Sequence, residues 1–170
     1  MMLILGCIAL IVGCGSLGLW RANRIRRRPT ELRECLMALA LLDTEIVWGM
    51  TPLPEAFGIV KERMDPPWQE FFAELQERLQ RGESANLAWK DTILSQNKHF
   101  CLKQPDWQVI RDAGKGLGRS DSQEQHKQLE LVQHQLALIK DQAEIWSEKQ
   151  AKMWSYLGFL CGIAGVLILI

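Results

Sequence analysis

The segment DSQEQHKQLELVQHQLALIKDQAEIWSEKQAKMWSYL, from Asp121 to Leu157, decides the fold because it contains neither glycine nor proline. Its apolar residues recur at three- and four-residue spacing, which is the period of one face of an α-helix. They are Leu129, Val132, Leu136, Ile139, Ala143 and Trp146, and the register continues through Met153, Leu157, Leu160, Ala164 and Leu167. Ser120 and Gln123 offer a capping box where the segment begins. The pattern predicts one long helix.

The apolar seam of this helix has two interpretations. It either faces other helices of the same chain or forms a coiled coil with a partner. Leu131, Leu138 and Ile145 widen the apolar face beyond the seam of a two-stranded coiled coil. The sequence leaves both interpretations open, and it leaves a homo-oligomer open as well.

The charged residues are confined to the middle of the chain. All 20 basic and 20 acidic residues lie between Arg21 and Lys152, although the average composition, with a mean hydropathy of -0.06, hides this division. Residues 1–20 and 153–170 carry no charged side chain. As helices they would be roughly 30 and 27 Å long, which is enough to cross the core of a bilayer. The sequence therefore predicts a transmembrane helix at 1–20, a helical domain at 21–152 and a transmembrane helix at 153–170, and it excludes a freely soluble protein.

Positive charge next to the first apolar run predicts the orientation of the chain. Five arginines follow that run, namely Arg21, Arg24, Arg26, Arg27 and Arg28. Loops rich in arginine stay in the cytoplasm, and a secretory signal would carry its positive charge before the apolar run. Aromatic residues typical of a membrane interface stand at the edges of the two runs: Trp20, Trp154 and Tyr156. We expect a protein of the cell membrane whose helical domain lies in the cytoplasm and whose interfacial residues contact lipid.

A lipoprotein is the competing interpretation of the first apolar run. Ile11-Val12-Gly13-Cys14 resembles a bacterial lipoprotein cleavage site, which would place the chain outside the cell. That arrangement would require the arginine cluster to cross the membrane, so the cytoplasmic orientation is preferred.

Small residues in the second apolar run predict close packing of helices in the membrane. Gly158 and Gly162 form a G-x-x-x-G pair, and Gly165 lies on a nearby turn. Neither run contains an ionisable residue, which argues against an ion or proton path within this chain alone.

The middle of the chain predicts an all-α bundle because its apolar residues follow a helical period and no strand-like alternation occurs. Pro29-Thr30 is expected to open the first helix of the domain, which ends at Gly49. Thr51 is expected to cap the next helix, with Pro52 at its first position. Further helices should follow Pro66-Pro67, Ser84 and Pro105, with the stretch from Gln96 to Gln104 ambiguous.

Catalytic patterns are sparse. The chain has no phosphate-binding loop motif, and Gly114-Lys115-Gly116-Leu117-Gly118 fits a linker that ends a helix. His126, Glu130 and His134 share one helix face and are the best candidates for a metal site, but solvent-facing polar residues produce the same row, so we expect no metal or cofactor. The two cysteines outside the apolar runs, Cys35 and Cys101, form no zinc-binding pair. The arginines suit lipid headgroups better than nucleic acid, so we expect neither an enzyme nor a nucleic-acid-binding protein.

Several motifs together resemble the stage III sporulation protein AB family, over nearly the whole chain. One motif joins Arg28-Pro29 to a leucine-rich helix, and another reads Glu45-Ile46-x-x-Gly49-x-Thr51-Pro52-Leu53-x-Glu55-Ala56. The others are Leu117-Gly118-x-x-Asp121, Gln125-x-Lys127-x-Leu129-x-Leu131 and Lys152-Met153-Trp154-x-x-Leu157-Gly158-Phe159-Leu160. Two positions depart from the pattern: Trp48 stands where tyrosine is expected, and Asp43 where glutamate is expected.

The resemblance implies a non-enzymatic membrane subunit of a channel or secretion-like complex that endospore-forming bacteria build between mother cell and forespore. It places the chain in the mother-cell membrane beside other stage III subunits, including a cytoplasmic ATPase. It also implies a cytoplasmic domain similar to the helical domains of the platform protein in type II secretion. We expect a partner surface around five residues of the second motif: Glu45, Thr51, Pro52, Leu53 and Glu55. The simpler role of these residues is to cap and redirect a helix.

Overall fold

A computed structural model gives the architecture of the protein. It describes the backbone of residues 2–118 and 122–169. Side chains are described for residues 25–118 and 123–153, and also for Gly13, Ser16, Trp20, Asn23, Tyr156, Leu157 and Leu160.

Six α-helices and one short 3₁₀ helix make up the described chain, which contains no β-strand within those residues. The α-helices are α1 (Met2–Val47), α2 (Leu53–Glu62), α3 (Trp68–Gln80), α4 (Ala85–Gln96), α5 (Gln104–Gly116) and α6 (Ser122–Leu169), and the 3₁₀ helix is Asn97–His99. The all-α prediction is confirmed, and the stretch left ambiguous in the sequence contains the 3₁₀ helix. The predicted capping box of α6 includes Ser120, which lies outside the described residues.

Helix α1 does not begin at Pro29, as predicted, but runs through it. A proline removes one backbone hydrogen bond and crowds the preceding turn, at a cost of about 3 kcal/mol in a helix interior. The residues on both sides of it, three arginines before and a leucine-rich stretch after, are good helix formers. The helix therefore continues through Pro29, although the division between two compact units falls directly after this residue.

The chain divides into two compact units. One comprises residues 1–29 and 142–170, and the other comprises residues 30–141. In the second unit α2 packs against α3, α3 against α4, and α4 against α5. The predicted stripe of the first helix is buried there at Leu32, Cys35, Leu39, Leu42 and Ile46, although Leu36 is only half-buried.

The core of the second unit is rich in aromatic rings. Trp68 is fully buried and its indole N–H donates a hydrogen bond of 2.9 Å to the backbone carbonyl of Glu31. Its ring lies 5.2 Å from that of Phe71 and 4.6 Å from that of Phe100, both edge to face. Such pairs add about 0.5–1.5 kcal/mol each beyond the area they bury. The dense stripe predicted for α3 therefore forms the centre of the core.

A close approach of α4 and α5 explains one glycine of the predicted linker. Gly114 lies inside α5, and a Cβ built on it would overlap the Trp89 side chain, with Cγ of the ring only 2.5 Å away. That indole is buried and donates a hydrogen bond of 2.9 Å to the carbonyl of Ile110. Because the ring is fixed, only glycine fits at residue 114.

The seam of α6 is only partly buried. Leu129, Val132 and Leu136 lie in the core of the second unit, which favours the interpretation that the seam faces its own chain. In the other unit Ala143 is buried, but Trp146, Met153, Leu157 and Leu160 are exposed, and Ser147 and Ala151 are buried instead. Those four residues do not face the described core of their own chain, so the continuation of the seam toward a partner stays a prediction. Ala164 and Leu167 lie outside the described side chains.

Within the residues described here, no helix contains a stretch both long and apolar enough to cross a membrane. The predicted spans at 1–20 and 153–170 fall largely on side chains outside that description. Of the predicted interface residues, Trp20, Tyr156, Arg26 and Arg27 are exposed and Arg28 is half-buried. Arg21, Arg24, Trp154, Gly158, Gly162 and Gly165 lie outside the described side chains.

Candidate functional site

The corner between α1 and α2 brings the predicted partner residues together. Thr51 donates a hydrogen bond of 2.9 Å from its hydroxyl to the Glu45 carboxylate, and one of 3.0 Å from its backbone N–H to the Glu45 carbonyl. These two bonds fold residues 45–51 into a closed turn. The geometry explains why glutamate and threonine occur six residues apart in the motif.

Two backbone positions in this turn are unusual. Met50 has a φ of 48°, in the left-handed region, which costs a residue with a side chain roughly 1–2 kcal/mol. A Cβ on Gly49 would lie 2.8 Å from the Glu45 carbonyl oxygen and 2.8 Å from the Thr51 hydroxyl. Glycine is required at residue 49, and the Glu45–Thr51 bonds hold Met50 in its strained conformation.

The predicted cap of α2 is wrong. Thr51 is not the N-cap of that helix, because Pro52 occupies the N-cap position and its φ of -56° and ψ of 142° direct the chain into α2. The Thr51 hydroxyl is engaged by Glu45 instead. Pro52 and Glu55 are exposed and Leu53 is half-buried, so the five predicted partner residues form one corner that is partly open to solvent.

The residues that stand out most at this corner were not predicted as partner residues. Trp48 is 83% exposed and Met50 is 85% exposed, the highest values among the large apolar side chains described. The sequence held one signal for Trp48, because it falls off the stripe that ends at Ile46 in α1. We refer to these two side chains as the Trp48–Met50 tip.

The three candidate metal ligands, His126, Glu130 and His134, do not converge on a common point. His126 Nδ1 lies 2.9 and 2.8 Å from the two carboxylate oxygens of Asp43, so the imidazole is engaged by α1. Glu130 and His134 are exposed on α6. In the part of the chain that the structure describes, no three acidic, histidine or cysteine side chains come together in a way that could hold a metal ion.

The Asp43–His126 pair makes the attachment of α6 to α1 sensitive to pH. The hydrogen bond and charge of Asp43, aided by Glu130, raise the pKa of His126 above its ordinary value. A raised pKa in the folded state means that the pair stabilises the fold below pH of about 6.5, and that this stabilisation is lost as the pH rises through the folded pKa. The side chain of His126 is nearly half exposed, so the effect is expected to be small.

We expect His126→Gln to lower the thermal midpoint of the purified chain more at a pH of about 5.5 than at about 8.5, since Asp43 holds the protonated ring more strongly than the neutral one. The measurement is tryptophan fluorescence of both proteins during heating at the two pH values. His134→Gln is the control, and its difference from the parent chain should not change with pH. Equal losses at both pH values for His126→Gln would contradict the role of the pair.

Two buried polar groups serve the fold rather than a site. The Glu31 carboxylate accepts a hydrogen bond of 2.7 Å from the backbone N–H of Cys101. Cys35 is 1% exposed, and burial raises the pKa of its thiol far above the ordinary value. A thiol held in its neutral form is a poor nucleophile.

Comparison with known proteins identifies the family. A family model described as stage III sporulation protein AB matches residues 3–170. The chain belongs to the stage III sporulation protein AB family. The curated relative "Stage III sporulation protein AB" from Bacillus subtilis (strain 168) is 29% identical over 170 residues, which is 99% of this chain and 99% of the relative. The resemblance stated from the motifs is therefore confirmed.

A solved structure shows the same fold. The structure of stage III sporulation protein AB (SpoIIIAB) is 28% identical and superposes with a TM-score of 0.67, covering 71% of this chain and 95% of that chain. The family description implies a role in sporulation and names no catalytic activity.

Proposed function

We propose that this protein is a non-enzymatic membrane subunit of a sporulation channel or secretion-like complex between mother cell and forespore. In that complex it acts as a platform or adaptor for a cytoplasmic ATPase. The observation that carries the proposal is the segregation of charge: two uncharged ends, residues 1–20 and 153–170, enclose a charged helical domain. Membership of the sporulation family supplies the process.

The α1–α2 corner is the proposed partner surface of the adaptor. Its backbone is held by the Glu45–Thr51 bonds, and it presents Pro52 and Glu55 to solvent. A surface whose shape is fixed before binding loses less freedom when a partner docks. This supports recruitment of the ATPase through residues 45–55.

Lipid is the second proposed partner. Arg26 and Arg27 are exposed, and so are the aromatic residues Trp20 and Tyr156. Clustered arginines beside an apolar run are attracted to anionic headgroups, and aromatic rings favour the interface. The likeness of the domain to type II secretion platform domains stays a prediction.

The orientation of the domain tests the membrane part of the proposal. We expect a cysteine introduced at Gln80, which is exposed on α3, to escape a membrane-impermeant thiol reagent in intact cells and to react after permeabilisation. Labelled peptides are identified by mass spectrometry. Ile170→Cys is the opposite control, because a transmembrane helix at 153–170 that leaves a cytoplasmic domain would carry that residue to the outer face. Labelling of Gln80→Cys in intact cells would favour the outward-facing lipoprotein instead.

Purification of the full chain from membranes of sporulating cells tests the adaptor part. A cytoplasmic ATPase should co-purify with the chain, together with other stage III subunits. If those subunits co-purify and no ATPase does, the adaptor role is wrong, whereas membership of the membrane complex is still supported.

A further inference from the structure

The Trp48–Met50 tip is an apolar surface without a partner inside the described part of the chain. Both side chains are more than four-fifths exposed, although burying a large apolar side chain is normally favourable. Single exposed apolar residues are common on protein surfaces, but two at one turn form a patch. Tryptophan is also among the residues that most often dominate the affinity of protein interfaces.

The backbone fixes the position of this patch before any partner arrives. The N–H groups of Trp48 and Gly49 both donate to the Thr44 carbonyl, at 2.9 and 3.2 Å, and close the end of α1. The Glu45–Thr51 bonds then hold Met50 at its positive φ. The positive φ of Met50 closes the end of α1 and at the same time leaves its side chain exposed, so the turn presents this surface in a fixed position before binding.

The charge around the tip decides what kind of partner fits. Between Arg33 and Lys61 the chain carries four carboxylates, Glu34, Asp43, Glu45 and Glu55, and no lysine or arginine. Asp43 is engaged by His126. Glu45, which accepts the Thr51 hydroxyl, and Glu55 lie on either side of the tip in the sequence. An acidic border of this kind attracts a basic surface and repels anionic lipid.

The same border argues against a second copy of this chain. In a two-fold dimer the same patch meets itself, so the carboxylates of one copy would face those of the other. Like charges brought together across an interface weaken it. A different protein with complementary charge avoids this repulsion.

We propose that the Trp48–Met50 tip inserts into an apolar pocket of a protein partner whose rim carries lysine and arginine side chains. This inference rests on the proposed partner-binding role of the corner and names its chemistry. The two apolar side chains supply the affinity, and Glu45 and Glu55 orient the approach. Thr51 and Gly49 act only by holding the turn.

Photo-crosslinking of the full-length chain in membranes of sporulating cells tests the proposal. A benzophenone amino acid replaces Trp48, which keeps an aromatic ring at the tip, and the crosslinked peptides are sequenced by mass spectrometry. We expect adducts concentrated on one protein, at an apolar residue with lysine or arginine close by in its structure. The same photoreactive residue at Leu94, which is exposed on α4, should not give this adduct. Adducts on lipid, on the chain itself or scattered over many proteins would overturn the proposal.

Binding of the purified full chain to the partner identified in this way gives the second test. Trp48→Ala should weaken binding at least about thirtyfold, as expected for a central anchor, whereas Trp48→Phe should lose only a few-fold. Leu94→Ala removes another exposed apolar side chain, on α4, and should leave the affinity unchanged. Met50→Gly relieves the positive φ, so it should preserve folding and still weaken binding. If Trp48→Ala and Leu94→Ala bind alike, the tip is not the anchor.

The predicted basic rim of the partner is tested by reversing one charge of this chain and by changing the salt concentration. Glu55→Lys should lower the association rate, and raising the salt concentration should weaken binding of the parent chain more than that of this variant. An affinity independent of Glu55 and of salt would overturn the charged rim. The test distinguishes failure of the proposed function from failure of this inference. A basic pocket on a protein outside the sporulation complex would contradict only the adaptor role. An acidic pocket on the ATPase would contradict only the inference of a basic rim.

Discussion

We expect Trp68→Ala to lower the free energy of unfolding by about 3–5 kcal/mol, a large part of the roughly 5–15 kcal/mol that stabilises a typical domain. The side chain is fully buried and its ring contacts those of Phe71, Phe100 and Trp107. Its removal creates a cavity in a rigid aromatic core and deprives the Glu31 carbonyl of the indole hydrogen bond. Urea unfolding of the purified chain, followed by circular dichroism, measures the change.

Two variants separate the causes of this loss. Trp68→Phe keeps most of the ring volume and removes the N–H donor, so it should cost less, about 1–3 kcal/mol. Trp48→Ala removes the same residue type from a position that is 83% exposed and should change the free energy by no more than about 0.5 kcal/mol. If Trp68→Ala and Trp48→Ala were equally destabilising, the assignment of the core around α3 would be contradicted.

We expect Ala143→Pro to abolish sporulation, measured as heat-resistant spores, at an unchanged level of membrane-bound protein. Ala143 lies inside α6, where proline removes a backbone hydrogen bond and crowds the preceding turn, at a cost of about 3 kcal/mol or more. The resulting kink would interrupt a helix that runs without a break from Ser122 to Leu169. The apolar runs are unaltered, so insertion should persist.

Neighbouring variants test whether the backbone is the cause. Gln142→Pro places the same ring at an exposed position and should give the same loss of spores. Gln142→Ala should be silent, and Ala143→Gly should cost only about 1 kcal/mol and be tolerated. Normal sporulation with either proline variant would mean that the two halves of α6 act separately.

Most of the helices could be predicted because each is bounded by a residue with a clear local effect. Gly82 ends the α3 region with a φ of 89°, and the stripe from Trp68 to Leu75 is buried as its spacing predicts. Ser84 is the N-cap of α4 as expected, although its side chain accepts no capping hydrogen bond from the helix backbone. Pro29 failed as a boundary because proline only disfavours a helix, and neighbouring residues outweighed it.

The candidate site was harder to predict because it depends on contacts that local sequence does not encode. Asp43 and His126 are 83 positions apart, and only the packing of α6 against α1 brings them together. Thr51 looked like a helix cap because spacing does not show whether its hydroxyl accepts a hydrogen bond from the α2 backbone or donates one to Glu45. Exposure of Trp48 depends on where α1 ends, and a shift of one residue there would turn the ring toward another face.

Because Cys35 is buried, the rate at which its thiol is alkylated measures how often the domain opens. Its neutral, inaccessible thiol can be alkylated only after α1 separates from the core. The rate at which a permeant reagent modifies it therefore reports how often the domain opens inside the cell, without added denaturant. The fraction of Cys35 that is alkylated after a given time then measures the frequency of opening in living, sporulating cells.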